Sequence, residues 1–197
     1  MSLTFRPNDT ALLLIDHQVG TMQLIKNIAV EQVKRNTLAL AKMAKTFNMP
    51  VVLTSSQEER VQGPLLPELQ ALLPDAFEAR IKRAGIVNAW VDPVFRNAVL
   101  ATERRNLVMA GVTTDVCLVF TAIDAVNEGF NVQAVLDASG SPFDLSEEMS
   151  RQRMRDAGVV LTATNTMIAE MTQDWSTPEG QQMIQVLFQE VLPPIAH

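Results

Sequence analysis

Short apolar runs bounded by turn residues recur along the chain: ALLLID at 11–16, VVLTS at 51–55, NLVMAG at 106–111, VQAVLD at 132–137 and VVLTAT at 159–164. Their length and their Val, Ile and Leu content predict strands buried on both faces. Between them lie longer stretches with an apolar stripe at helical spacing, Val30 to Phe47, Pro93 to Thr102, Asp115 to Glu128 and Glu147 to Ala157. Asn48 to Pro50, Gly129 and Gly158 punctuate three of these helices where C-termini end. Strand and helix in alternation imply an α/β protein, a parallel sheet with helices on both faces.

The stretch from Gln57 to Asp75, with Gly63, Pro64, Pro67 and Pro74, is the least regular internal segment. It reads as a loop with one helical turn around Glu68 to Leu72, of the kind that lines sites. From about residue 177 a further helix carries Met183, Ile184, Val186, Leu187 and Val191 and ends near Pro193. No linker or repeat interrupts the chain, so residues 1–197 are expected to form one domain with this helix as a C-terminal extension.

Composition narrows the functions. Sixteen Lys and Arg against 22 Asp and Glu give a net charge of −6, which disfavours nucleic acid as a partner. The run from Ala11 stops at Asp16 and has no basic leader, so neither a signal peptide nor a membrane span is read there and a cytoplasmic protein is expected. A lone cysteine, Cys117, has no internal disulfide partner, and two histidines, His17 and His197, do not make up the usual zinc shells.

In open α/β sheets ligands bind beyond the carboxyl ends of the strands, so polar residues there are the candidates for chemistry. Asp16 follows the first strand, where it is either a turn residue or a base. Cys117 opens the helix CLVFTAIDAV after the turn VTTD. There it is either a small buried hydrophobe or a nucleophile whose thiolate the helix N-terminus favours. His17 falls on the face opposite Asp16 if the strand continues, which leaves the carboxylate as the better proton acceptor. In IKRAG at 81–85, alternation lets only one of Lys82 and Arg83 face a given pocket, and the sequence leaves open which. With a cation beside it, the thiol is expected to titrate below its reference of about 8.5, although the Asp16 charge pulls the other way.

The chain resembles the isochorismatase-like cysteine hydrolases. The segments that carry the resemblance are LLLIDHQVG at 12–20, GPLLPELQALLPDA at 63–76, RAGIVNAW at 83–90, AGVTTDVC at 110–117 and EGFNVQAVLDASG at 128–140. The second and third look like a narrower branch of octameric hydrolases of undetermined substrate. This resemblance implies a three-layer α/β/α domain around a six-stranded, mainly parallel, Rossmann-like sheet. It also implies a triad of acid, basic residue and cysteine that needs no cofactor. Asp16 and Cys117 match directly, and alignment on GIVNAW puts Arg83 in the middle place, with Lys82 as competitor. The family further implies a cis peptide before Thr113, with the N–H groups of Thr113 and Cys117 forming an oxyanion hole. Gln18, Asn88 and Trp90 are expected to bind substrate.

Nicotinamidase relatives carry an Asp and two His metal site after the second strand, whereas VLTSSQEERVQ at 52–62 contains no histidine. No metal is therefore expected, and a pyridine substrate is disfavoured. Isochorismatase itself cleaves a vinyl ether without a cysteine nucleophile, so Cys117 favours hydrolysis of a small amide or related carbonyl compound. The alternatives are ether hydrolysis and a non-catalytic oligomeric binding protein on the same fold. The apolar C-terminal helix and the branch resemblance lead to the expectation of a homo-oligomer, specifically an octamer.

Overall fold

The computed structural model describes residues 4–194; His197 lies outside them. Six strands form one sheet: β1 (Thr10–Ile15), β2 (Val51–Ser56), β3 (Ile81–Arg83), β4 (Asn106–Gly111), β5 (Asn131–Val135) and β6 (Val160–Thr162). Their order is β3-β2-β1-β4-β5-β6 and every pairing is parallel. Strands consecutive in the chain must then be joined by crossovers, which carry α1 (Val30–Thr46), α2 (Pro67–Leu72), α3 (Pro74–Glu78), α4 (Pro93–Leu100), α5 (Val119–Asn127) and α6 (Asp144–Asp156), while α7 (Thr164–Thr172) and α8 (Pro178–Val186) follow β6.

Alternation along β1 divides the core in two. Leu12 and Leu14 pack with Val33, Leu40 and Met43 of α1 and with Met167, Met171 and Met183 of α7 and α8. Ala11, Leu13 and Ile15 face the other way, onto Phe95 and Val99 of α4 and Val119, Ala122 and Ala125 of α5. The result is the expected three-layer α/β/α arrangement.

Several boundaries differ from the sequence reading. The fifth run leaves the sheet at Val135 and turns through a 3-10 segment at Leu136–Ala138. The last strand is only Val160–Thr162, and the residues after it open α7, which the apolar pattern was not read to contain. Asp137 Oδ1 makes that turn possible, accepting from Thr164 N at 2.7 Å and from its hydroxyl at 2.8 Å. The irregular segment holds α3 as well as the anticipated turn at α2. After α8 a π-type turn at Leu187–Val191 returns along α1, where Arg35 Nε donates to Glu190 O at 2.7 Å. Among the described residues no helix is long and apolar enough to cross a membrane.

Candidate active site

The central strands β1 and β4 end side by side, Ile15 opposite Gly111, and the candidate residues sit just beyond them. Asp16 leaves β1 with φ 58°, a left-handed conformation that aspartate tolerates better than most residues. Its N–H still donates to Thr54 O at 2.9 Å, and Gln18 N donates to Asp16 O at 2.7 Å, closing a tight turn. The carboxylate is 2% exposed. His17 takes the opposite side: its Nε2–H donates to Ala138 O at 2.9 Å, and burial pulls its pKa down to about 4.

Alternation along strand β3 turns one of the two cations inward and the other outward. Ile81 and Arg83 are buried, and Lys82 between them is exposed, its Nζ 3.4 Å from Glu58. Arg83 Nη2 donates to both oxygens of Asp16. Its Nε donates to Thr54 Oγ1 at 3.0 Å, and Nη1 donates to the carbonyls of Ile86 and Val87. Every guanidinium nitrogen thus has an acceptor within the protein.

Beyond β4 the Val112–Thr113 peptide is cis, and residues Thr114–Leu118 form a π-type turn leading into α5. Cys117 lies in this turn, its thiol close enough to the Asp16 carboxylate and to the Thr113 backbone for both to act on its titration. The Cys117 N–H is placed differently from the expected oxyanion hole. It donates to Thr113 O at 2.9 Å, because the first turn of the helix closes on that carbonyl.

The expected lowering of the thiol pKa is reversed. Burial pushes Cys117 well above the ordinary thiol range, and the Asp16 charge and hydrogen bond add to this; Thr113 N–H and Arg83 pull it down by less. Burial also raises Asp16, against the pull of Arg83 and of the thiol bond. Burial thus favours the neutral form of both groups, and Arg83 opposes it on both.

These groups line a cavity of about 290 Å³ together with Gln18, Thr21, Leu24, Gln57, Gln62 and the Ile86–Val87 turn, among others. Asp16, Arg83, Cys117 and Thr113 are thus brought together. Gln18 lines the cavity too, but its amide is committed to the fold: Nε2 donates to Ser56 O and Gly63 O, and Oε1 accepts from Ser56 N at 2.8 Å. It ties the loop after β1 to the loop after β2. Gly20 completes that seam, since a Cβ there would lie 1.9 Å from Val61 O.

Asn88 and Trp90, expected to wall the pocket, are not among its lining residues. Asn88 donates to Asp124 on α5 at 2.7 Å and accepts from Trp90 N at 3.0 Å. Trp90 is 4% exposed, edge-on to Phe130 and Phe95, with its indole N–H on Glu128. Both fasten the segment after β3 to α5 instead. The lining residues Thr21, Leu24, Gln57, Gln62, Ile86, Val87 and Val116 were missed; only the irregular character of the 57–75 segment pointed toward some of them. Among the described residues no three His, Cys, Asp or Glu side chains converge as a metal site would require.

The isochorismatase domain family matches residues 10–166. The probable hydrolase YcaC of Escherichia coli (strain K12) is 42% identical over 168 residues, covering 85% of this chain and 80% of that one. The crystal structure of the E. coli YcaC gene product, described as an octameric hydrolase of unknown specificity, superposes with a TM-score of 0.91 at 38% identity, covering 97% and 92% of the two chains. YcaC from Pseudomonas aeruginosa, solved with hexane-2,5-diol and covalent acrylamide, gives a TM-score of 0.90 at 38% identity over 95% and 92%.

Proposed function

The chain belongs to the isochorismatase family of hydrolases, close to YcaC, and on that premise we propose that it hydrolyses a small amide or related carbonyl compound through Asp16, Arg83 and Cys117. The observation that carries this reading is the thiol of Cys117 bonded to a buried carboxylate that Arg83 grips from behind, at the wall of a cavity. A high thiol pKa suits the role. The nucleophile forms only when substrate is in place and Asp16 takes the proton, so the free enzyme carries no exposed thiolate.

In the first half-reaction Sγ bonds to the carbonyl carbon as its proton passes to Asp16, and Thr113 N–H donates to the developing oxyanion. Collapse breaks the bond to the leaving amine, which takes the proton from Asp16 and departs, leaving an acyl-cysteine. Water then gives a proton to Asp16 and attacks the thioester; the acid leaves and the thiol is restored. Arg83 holds the carboxylate in position through both halves. The covalent acrylamide on the P. aeruginosa relative, itself a small electrophilic amide, is consistent with such a nucleophile.

Intact mass spectrometry of the protein with a panel of amides and esters tests this. An acyl adduct on Cys117 that disappears in Cys117→Ala, together with turnover, is expected. Full turnover of these substrates in Cys117→Ala overturns the covalent route.

We also propose that the chain acts in the cytoplasm as a homo-oligomer, and as an octamer like the E. coli YcaC gene product. Exposed Phe143, Leu145, Val94 and Phe188 supply apolar surface that such an assembly would cover. Light scattering giving a monomer mass at micromolar concentration would contradict this.

A further inference from the structure

Val112 N donates to Ile15 O at 3.0 Å, which carries the pairing of β1 and β4 one residue past the last strand position of each. Beyond that bond, among the described residues, no backbone hydrogen bond runs between the turn that begins at Asp16 and the turn that holds Cys117. The sheet alone therefore does not fix the distance between acid and thiol.

The missing connection is made through residues 138–141, which follow β5, are buried, and do not line the catalytic cavity. Ala138 O accepts from Nε2 of His17, the neighbour of Asp16, at 2.9 Å. The other nitrogen of that ring, Nδ1, is buried without a partner, so this is the bond by which the imidazole holds the Asp16 turn. Ser139 Oγ accepts from N of Gly111, the last residue of β4, at 3.1 Å and donates to Val135 O at 2.8 Å. Gly140 O accepts at 2.8 Å from N of Thr114, the residue that opens the Cys117 turn. Ser141 O accepts from Lys26 N at 2.9 Å, and Ser141 N donates to Asn27 Oδ1 at 2.7 Å, which secures the far end of the loop whose Thr21 and Leu24 line the cavity.

The segment is braced from its other side. Ser141 Oγ donates to Glu147 Oε2 of α6 at 2.7 Å, and Asn36 Nδ2 of α1 donates to Asp137 O at 2.7 Å. A Cβ on Gly140 would come 2.8 Å from Ile25 Cγ2 and 3.1 Å from Ile28 Cγ2, so only glycine lets the segment lie this close to the loop after β1.

Resting on the hydrolase reading above, we propose that residues 138–141 are a strap that sets Asp16 against Cys117, with His17 and Ser139 as positioning residues for the proton transfer between them. Neither need touch the substrate. Each holds one of the two turns to the same short piece of chain, and misplacing a reacting group by about 1 Å can cost on the order of 10²-fold in rate.

The test uses the full-length protein. His17→Phe and Ser139→Ala each remove one strap bond, His17→Gln restores a donor in place of Nε2, and Met183→Ala weakens the core at α8 without touching the strap. Alkylation of Cys117 by iodoacetamide across pH needs no substrate; kcat and KM are read in parallel on the amides and esters of the panel. His17→Phe and Ser139→Ala are expected to be alkylated about threefold faster or more at pH 7, because the carboxylate that holds the thiol protonated is no longer fixed beside it. Their kcat should fall by about tenfold to a hundredfold, with KM changed by less than about threefold. His17→Gln should recover the parent's alkylation profile and most of its kcat, and Met183→Ala should keep the parent's profile despite its lower stability. An unchanged profile in both His17→Phe and Ser139→Ala overturns the proposal. So does an equal acceleration in Met183→Ala, which would make the effect one of general loosening. If the parent turns over no amide or ester and forms no acyl adduct, the hydrolase reading fails, and the alkylation profiles still decide whether the strap sets the thiol against the acid.

Discussion

One nitrogen of Arg83, Nη2, donates to both carboxylate oxygens of Asp16, and the two side chains are sealed from solvent almost completely. The pair joins β1 to β3, two strands that are not neighbours in the sheet. Removing one member strands the other as a lone buried charge, which typically costs about 3–5 kcal/mol. Arg83→Met should therefore lower the urea midpoint markedly. Lys82→Met, which gives up only an exposed pairing with Glu58, should stay within about 1 kcal/mol of the parent.

The thiol provides a prediction of opposite sign for the acid and the cation. Burial raises Cys117, and the charge and hydrogen bond of Asp16 raise it further. Asp16→Asn should move the thiol pKa down and accelerate alkylation by iodoacetamide near neutral pH, even as turnover falls by about 10²–10⁴ with the loss of the proton acceptor. Arg83→Met should raise the thiol and slow alkylation, and Lys82→Met should leave the rate-versus-pH curve unchanged. Slower alkylation in Asp16→Asn would count against the carboxylate as the group that holds the thiol protonated.

His17 makes stability fall on mild acidification. Burial lowers its folded pKa to about 4 from 6.5, so below 6.5 the unfolded chain binds a proton that the folded chain does not. Stability is undiminished above that pH and is lost as pH falls from 6.5 toward 4, by about 3 kcal/mol in all. Asp16, whose folded pKa is raised, works in the other direction and offsets part of this. The contribution of His17 is isolated by comparing urea midpoints of the parent and His17→Gln at pH 7 and pH 4.5: the variant should show the smaller drop.

Gln18 should matter through the loops it ties. Its amide bonds to Ser56 and Gly63 hold the seam between the segments after β1 and β2. Gln18→Ala leaves those backbone groups without partners, at about 1–3 kcal/mol for a buried group. The expected result is a lower melting temperature together with a raised KM, and a kcat lowered less than KM is raised.

Much of the architecture was legible because it is written locally. The runs at 11–15, 51–53 and 107–110 are apolar throughout, as strands covered on both faces tend to be, and α1 shows its stripe over a long span. Helix α7 escaped notice although Met167, Ile168 and Met171 carry the right spacing. Its N-terminus is satisfied by Asp137, which lies 27 residues earlier at the end of a different strand.

The sequence by itself determined an α/β sheet, placed Asp16 and Cys117 at strand ends, and marked one of two adjacent cations as their companion. Those readings depend on periodicity and on residue order, which the chain carries without folding. Only the tertiary structure turned Arg83 inward to Asp16 and Lys82 outward, through the alternation of a three-residue strand paired with β2. It also turned Asn88 and Trp90 away from the cavity toward α5 and committed the Cys117 N–H to Thr113. Above all it reversed the expected titration of the thiol. Helix dipole and nearby cation are visible along the chain, but desolvation and a carboxylate from a distant strand act through space, and here they outweigh the local terms.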